Sequence, residues 1–193
     1  METQNNLQPE VREAREFATG ENVIYSLHGK CSVIGIETRQ MVEGQPPIRF
    51  YKLEVQKSTF SRSTRQEPAI WVPVSSARER GLRAPLSATD AEAVFKVINS
   101  REYYFVLTES WSSIQPQLEH AIRMEGGIGL AKALSFLHVL KRKQIVASPE
   151  VARMYETVSK LLIRELADAT SDTPRNIEDK IARGMRQKLI PNH

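Results

Sequence analysis

The stretch FATGENVIYSLHGKCSVIGIE, residues 17–37, decides the fold of this chain. On both sides of His28-Gly29 apolar and β-branched residues recur at nearly alternate positions, which is typical of strands. These residues are Val23, Tyr25 and Leu27 before the pair, and Val33, Ile34 and Ile36 after it. The stretch therefore predicts two short strands joined by a tight turn at His28-Gly29.

The strand pattern continues beyond this hairpin. Residues 43–47 contain one glycine and two prolines and predict a turn, and the alternating residues 50–55 predict a third strand. Residues 56–68 are rich in Ser, Thr and Arg and predict an exposed loop. Residues 69–74 predict a fourth strand, which Pro73 places at a sheet edge or near its own end, because proline donates no hydrogen bond. Four or five short twisted strands predict a small half-open β-barrel.

From Thr89 onward the apolar period changes to 3.6, which is typical of amphipathic helices. The clearest case is the apolar stripe predicted for the third helix, formed by Leu130, Ala133, Leu134, Leu137 and Leu140. Thr89 is predicted to cap the first helix. A second helix is predicted from near Trp111, and Pro116 must lie in its first turn or break it. Three further helix starts are predicted at the glycine-rich run 126–129, at Ser148-Pro149-Glu150 and at Thr173-Pro174, the last helix running to about Leu189.

The predicted fold class is therefore α+β, with a small β-module followed by an all-α part. The change of period near Ala88 marks the predicted boundary. The expected divisions are an N-terminal extension at 1–16 with a short helix over 9–16, a β-domain at 17–86, a helical domain at 87–171, and a C-terminal helix or extension at 172–193.

Composition sets bounds on function. The chain has 193 residues, a net charge of +4 and a single cysteine, Cys31. One cysteine excludes an internal disulfide and a zinc site built on several thiolates. No apolar run is long enough to span a membrane and the first residues are polar, so we expect a cytoplasmic protein without a signal peptide. The mild positive charge permits contact with nucleic acid but does not require it.

Several short motifs occur in the order found in one bacterial family. They are Phe17, Gly20, Val23, Tyr25, His28-Gly29 and Ile36-Glu37; then Tyr51-Lys52-Leu53, Val72-Pro73-Val74, Gly81-Leu82-Arg83 and Leu86-Ser87; then Ser110-Trp111; and finally Ser148-Pro149-Glu150, Leu161-Leu162 and Glu165-Leu166-Ala167. In their order and spacing these motifs resemble the CarD family of bacterial transcription regulators, over about residues 17–170. The resemblance implies a Tudor-like domain that binds the β subunit of RNA polymerase. It also implies a helical domain that touches DNA at the upstream edge of the promoter bubble, without catalysis or a cofactor.

The resemblance also implies contact residues. Arg39 matches a family position that contacts polymerase, where a guanidinium suits a partner carboxylate; an ordinary solvated arginine is the alternative. Arg49 is assigned to the same surface. A second family arginine stands where this chain has Trp71, which is expected either to stack on the partner or to fill the barrel core.

Trp111 carries the expectation of DNA contact. A flat indole at a helix start can stack on an exposed base at a duplex junction, and the alternative is a core tryptophan. The family usually has Arg or Lys directly after this tryptophan, but here Ser112 and Ser113 follow, whose hydroxyls can still reach phosphate oxygens. The candidates for further phosphate contacts are Arg101, Arg123, Lys132, Lys141 and Arg142. For Lys141 and Arg142 the alternative is a helix C-terminus, where the helix dipole favours positive charge. Arg183, Arg186 and Lys188 are expected on a solvated face.

Other functions stay open at this point. An adaptor between proteins with no DNA role is the main alternative, supported by the uncharged residues after Trp111. An enzyme is the weakest reading, because no acid, base and nucleophile converge in the sequence. His28 and Cys31 are read as a turn histidine and a core thiol, and His120 and His138 lack matched metal ligands. We expect a monomer when the protein is free, with no metal.

Overall fold

The computed structural model describes residues 15–56, 68–102, 104–106, 110–143, 149–186 and 188. Within them the chain is α+β, as predicted: a five-stranded antiparallel sheet is followed by five helices. The strands are β1 Asn22–Tyr25, β2 Gly29–Arg39, β3 Ile48–Val55, β4 Ile70–Pro73 and β5 Leu82–Arg83. Their order across the sheet is β4-β3-β2-β1-β5. Since β4 and β5 lie at opposite edges, the sheet is not closed into a barrel.

The first hairpin forms where the sequence indicated. β1 and β2 pair from Asn22↔Ser32 to Tyr25↔Gly29, and a 3-10 turn at Ser26–His28 joins them. Gly29 closes the turn at a φ of +76°, a left-handed conformation in which glycine is favoured. β4 lies at the sheet edge, in agreement with the expectation from Pro73.

One face of the sheet buries a small hydrophobic core. Its centre contains Cys31, Val33, Leu53 and Val72, all with no exposed surface. Strand residues that point to this face alternate with residues that point to solvent. The sheet core is separate from the larger core formed by the helices.

The helices are α1 Ala88–Asn99, α2 Trp111–Glu125, α3 Gly127–Lys143, α4 Pro149–Thr170 and α5 Pro174–Arg186. α3 is the central helix, and its predicted apolar stripe is fully buried: Leu130, Ala133, Leu134, Leu137 and Leu140. Gly126 alone connects α2 to α3, so the two helices form a tight hairpin. At Gly129 a side chain would overlap the backbone of Ala121, which shows how closely the two helices approach each other.

Two predictions about helix starts are wrong. Ser87, not Thr89, caps α1: its side chain accepts from the Asp90 backbone N–H, and the Asp90 carboxylate accepts from Ser87 in return. Pro116 neither breaks α2 nor lies in its first turn, because it occupies the second turn of a continuous helix. Proline lacks the N–H that would donate to the Ser112 carbonyl. The side-chain amide of Gln117 donates to the next carbonyl, that of Ser113, at 3.2 Å.

The sheet is fastened to α4 by three contacts. Gly29 lies so close to Leu161 that a Cβ there would come within 2.6 Å of its side chain. The Lys30 Nζ donates to an Asp168 carboxylate oxygen at 2.9 Å. Both terminal nitrogens of Arg83 in β5 donate to the Glu165 carboxylate, one of them at 2.7 Å.

Some predictions lie outside the described residues. These are residues 9–14 of the predicted N-terminal helix, the loop at 56–68 except for its two end residues, and the cap at Ser148. Residues 15 and 16 are described and are not helical. The last helix is described as far as Arg186, and Lys188, the one described residue beyond it, is not helical. Among the residues that the structure describes, no helix is both long and apolar enough to cross a membrane.

Candidate polymerase-facing and DNA-facing surfaces

The outer face of the sheet carries a compact group of four side chains, here named the Trp71 cluster: Glu37, Arg39, Lys52 and Trp71. The Arg39 guanidinium carbon lies 3.4 Å from the centre of the Trp71 ring, and the Lys52 Nζ lies 5.2 Å from it. Glu37 bridges the two cations, at 3.2 Å from Arg39 and 3.5 Å from Lys52. The cluster therefore presents an aromatic ring fixed by two cations at the surface.

A β-bulge places the cluster on the outer face. Val33 pairs with Leu53, both buried, whereas Gly35 pairs with Lys52, which points outward. The extra residue Ile34 reverses the alternation, so that Glu37 and Arg39 face solvent instead of the sheet core. Without this bulge Arg39 would share a face with Val33.

Trp71 reaches the cluster from the edge strand. It pairs with Lys52, and its neighbour Val72 is completely buried on the other face. Trp71 belongs to neither hydrophobic cluster of the protein, so it is not a core residue. A guanidinium stacked flat on an indole keeps its in-plane N–H groups available to a partner carboxylate. The ring and the Arg39 side chain, which is 45% exposed, form one continuous surface next to the edge of β4.

Arg49 does not belong to this surface. It pairs with Thr38, so it lies on the opposite face from Arg39. Both of its terminal nitrogens contact the Glu16 carboxylate at 2.9 Å. The structure therefore separates Arg49 from the other two residues predicted to bind polymerase.

Trp111 is the first residue of α2, as predicted, and it is partly buried. Its ring packs against the helical core, and part of its surface remains accessible. The indole Nε1 is buried and has no hydrogen-bond partner within the described part of the chain. A buried indole N–H usually finds a partner. Trp111 thus combines a core contact with a partly exposed edge.

The two serines after Trp111 are exposed. The Ser112 hydroxyl lies 3.0 Å from that of Ser110, the residue that precedes the helix. Ser110 makes no side-chain cap to the backbone of α2. The exposed side chain of Ser112 at this helix start is therefore in a position suited to a phosphate oxygen.

Two of the predicted basic residues lie at the end of α3. The exposed Lys141 holds its Nζ 4.9 Å from the centre of the Tyr155 ring, and Arg142 is also exposed. Burial lowers the pKa of the nearby His138, and the positive charges of Arg142 and Lys141 lower it further. Because α2 and α3 form a hairpin with a one-residue turn, the end of α3 and the start of α2 lie toward the same end of the helical part.

Arg123 and Lys132 are not close to Trp111. Arg123 lies twelve positions further along α2, a distance of about 18 Å along the helix axis. The Lys132 Nζ forms an ion pair with the Glu125 carboxylate at 2.5 Å and lies 5.3 Å from the centre of the Tyr104 ring. Arg101 is exposed just after α1. Of the predicted cations on the hairpin of α2 and α3, Lys141 and Arg142 lie toward the end that contains the start of α2, and Arg123 and Lys132 lie toward the other end.

Lys188 corrects the expectation of a solvated C-terminal face. Arg183 and Arg186 are exposed, but Lys188 is only 3% exposed and donates to the Val97 carbonyl at 3.1 Å. Burial lowers the pKa of the Lys188 amine. The sequence offered no signal for this burial, because the pattern of α5 ends before it.

The described residues include no group of three His, Cys, Asp or Glu side chains placed to hold a metal ion. Burial raises the pKa of the Cys31 thiol to about 11, so this side chain is a neutral core residue and not a nucleophile. Neither the models of known protein families nor the curated protein sequences gave a match to this chain.

Proposed function

We propose that this chain is a transcription regulator of the CarD type. In this proposal the sheet is a Tudor-like module that binds the β subunit of RNA polymerase, and the helical part touches DNA at the upstream edge of the promoter bubble. The order of the sequence motifs supports the proposal, as does the α+β arrangement. The observation that carries it is the Trp71 cluster, a fixed aromatic and cationic surface beside an edge strand.

The polymerase contact uses two features of the sheet. The outer side of β4 offers backbone groups for strand addition, within the described residues, and main-chain hydrogen bonds give affinity with little demand on sequence. Trp71 and Arg39 lie beside that edge and choose the partner, because tryptophan and arginine are the residues most often found at interface hot spots. Arg39 donates hydrogen bonds to a carboxylate of the partner, and its contact with the Trp71 ring also keeps that ring in place.

The DNA contact depends on Trp111. Its accessible edge stacks on a base at the junction of duplex and single strand, while its packing against the helical core fixes the ring. Ser112, Lys141 and Arg142 supply phosphate contacts from the same end of the helical part. A rigid indole needs little further ordering when it binds, which favours this contact.

A protein–protein adaptor without DNA contact is the second candidate. The partial burial of Trp111, and the distance of Arg123 and Lys132 from it, favour this alternative. Binding of forked promoter DNA at two salt concentrations distinguishes the candidates. Phosphate contacts give an affinity that falls steeply with salt, whereas an adaptor shows no specific binding at either concentration.

The polymerase contact is tested by binding the variants to the isolated β subunit. Trp71→Ala removes the centre of the surface and is expected to weaken binding by about 2 kcal/mol, or about thirtyfold. Arg39→Glu is expected to weaken binding at least tenfold. The variant loses the cation that stacks on Trp71, and it places a second carboxylate beside that of Glu37.

Arg49→Glu is the matched control. It makes the same charge reversal on the other face of the sheet, and its exposed ion pair contributes little to stability. Circular dichroism checks that all three variants keep their fold. Equal affinity of Trp71→Ala, Arg39→Glu and wild type would exclude the Trp71 cluster from the interface.

A further inference from the structure

A groove of about 720 Å³ lies where the sheet, the segment 83–86 and the hairpin of α2 and α3 meet. Its size is within the range of pockets that bind small molecules. Apolar side chains form much of the lining, including Phe17, Leu86, Val94 and Ile128. Met124 lies at the groove with 56% of its surface exposed, which is unusual for a large apolar side chain.

The charged side chains of the groove are mostly engaged. The lining contains three carboxylates and four arginines. Arg15 pairs with Glu21 at 2.8 Å, Arg83 pairs with Glu165, Glu125 pairs with Lys132, and Asp90 accepts from the backbone and hydroxyl of Ser87 at 2.9 and 2.7 Å. The carboxylates therefore already have donors.

Two arginines of the groove have no ion-pair partner among the described residues. Arg78 and Arg123 are exposed, and neither forms an ion pair with any residue that the structure describes. Gly81 brings them together: its N–H donates to the Arg78 carbonyl at 2.8 Å, and a Cβ on Gly81 would lie 3.1 Å from the Arg123 Cγ. Gly81 is buried at a φ of +84°, so a larger residue would both strain the turn and push Arg123 away.

We propose that this groove binds a phosphate-bearing ligand. Arg78 and Arg123 bind the phosphate oxygens, since a guanidinium matches a phosphate with two parallel hydrogen bonds. The apolar wall formed by the partly exposed Leu86 and Ile128 takes the organic part of the ligand. Backbone N–H groups at the start of α3, which lines the same groove, add favourable dipoles. This site is separate from the Trp71 cluster and from Trp111, and it does not depend on the proposed function.

The phosphate can come from a free nucleotide or from a nucleic-acid backbone. The two sources are distinguished by titrating the full chain with ADP in one arm and with a short DNA duplex in the other, using isothermal calorimetry. Arg78→Ala/Arg123→Ala is expected to weaken whichever probe binds at least tenfold. Arg175→Ala, which removes an exposed arginine of α5 that does not line the groove, is expected to change the affinity less than twofold.

The position of the bound probe is determined from the chemical-shift changes of backbone amides in NMR spectra. The bound probe is expected to move the resonances of Gly81, Gly126 and Gly127 in wild type and not in the double variant. ADP binding with these shifts assigns a nucleotide site, and duplex binding with these shifts assigns a backbone-phosphate site. The proposal is overturned if neither probe binds at millimolar concentration, or if the double variant and Arg175→Ala bind equally.

Discussion

The ion pair between Arg83 and Glu165 joins the sheet to α4, and breaking it should cost much of the stability of the protein. The Glu165 side chain is 5% exposed and that of Arg83 is 24% exposed. Arg83→Met keeps an unbranched apolar stem as far as the position of Nε, beside Gly126, but leaves a buried carboxylate without its cation. Breaking a buried pair in this way costs about 3–5 kcal/mol. Because Arg83 is partly exposed, we expect about 3 kcal/mol.

Urea denaturation measures this cost. With an m-value of about 2 kcal/mol/M, a loss of 3 kcal/mol lowers the urea midpoint by about 1.5 M. Circular dichroism follows the helices, and the fluorescence of Trp71 and Trp111 follows both parts of the molecule. The double variant Arg83→Met/Glu165→Leu should recover to within about 1 kcal/mol of wild type, since it removes both charges.

Lys30→Met is the matched control for this experiment. The pair of Lys30 with Asp168 also joins the sheet to α4, but its side chains are 33% and 57% exposed. Such a pair contributes about 0–1 kcal/mol. The reasoning is refuted if Arg83→Met costs no more than Lys30→Met, or if the double variant is as unstable as Arg83→Met.

Two further stability predictions follow from local geometry. Gly129→Ala should destabilise the protein by about 1–3 kcal/mol, because its methyl group overlaps the Ala121 carbonyl; Gly35→Ala, with no atom within 4 Å of the new methyl, should cost less in the same urea titration. Hydrogen bonds from Lys180, Asn176 and the Thr173 N–H lower the pKa of Asp172 from 3.8 to about 2. A lowered pKa in the folded state stabilises the protein above pH 4, and this contribution is lost as the pH falls toward 2. The melting temperature of Asp172→Asn should therefore lie below that of wild type at pH 6, and the difference should shrink as the pH falls through 2; a difference as large at pH 2 as at pH 6 would contradict this assignment.

The helical half was largely readable from the sequence because its signals are local. The stripe from Leu130 to Leu140 has the period of a helix and is buried as predicted. Gly126 ends α2 and allows the hairpin. The start of α1 could also have been found, since Ser87 and Asp90 are spaced as a capping box, a stronger signal than Thr89 alone.

The candidate surfaces were less readable because they depend on contacts distant in sequence. Nothing in the sequence marks Ile34 as a bulge, yet the bulge decides which face Arg39 occupies. Arg49 and Arg39 looked like neighbours on one surface, but strand alternation separates them. The sequence predicted that residues along β3 alternate between the two faces of the sheet. Only the pairing of β3 with β4 shows that Lys52 lies beside Trp71.

The lifetime of the open promoter complex tests the central claim most directly. Purified polymerase and promoter DNA are mixed with the protein, and the decay of the complex is followed after a competitor is added. We expect wild type to lengthen the lifetime, Trp111→Ala to lose at least tenfold of that effect while still binding the β subunit, and Trp71→Ala to lose the effect together with binding. An unchanged lifetime with wild-type protein would contradict the account.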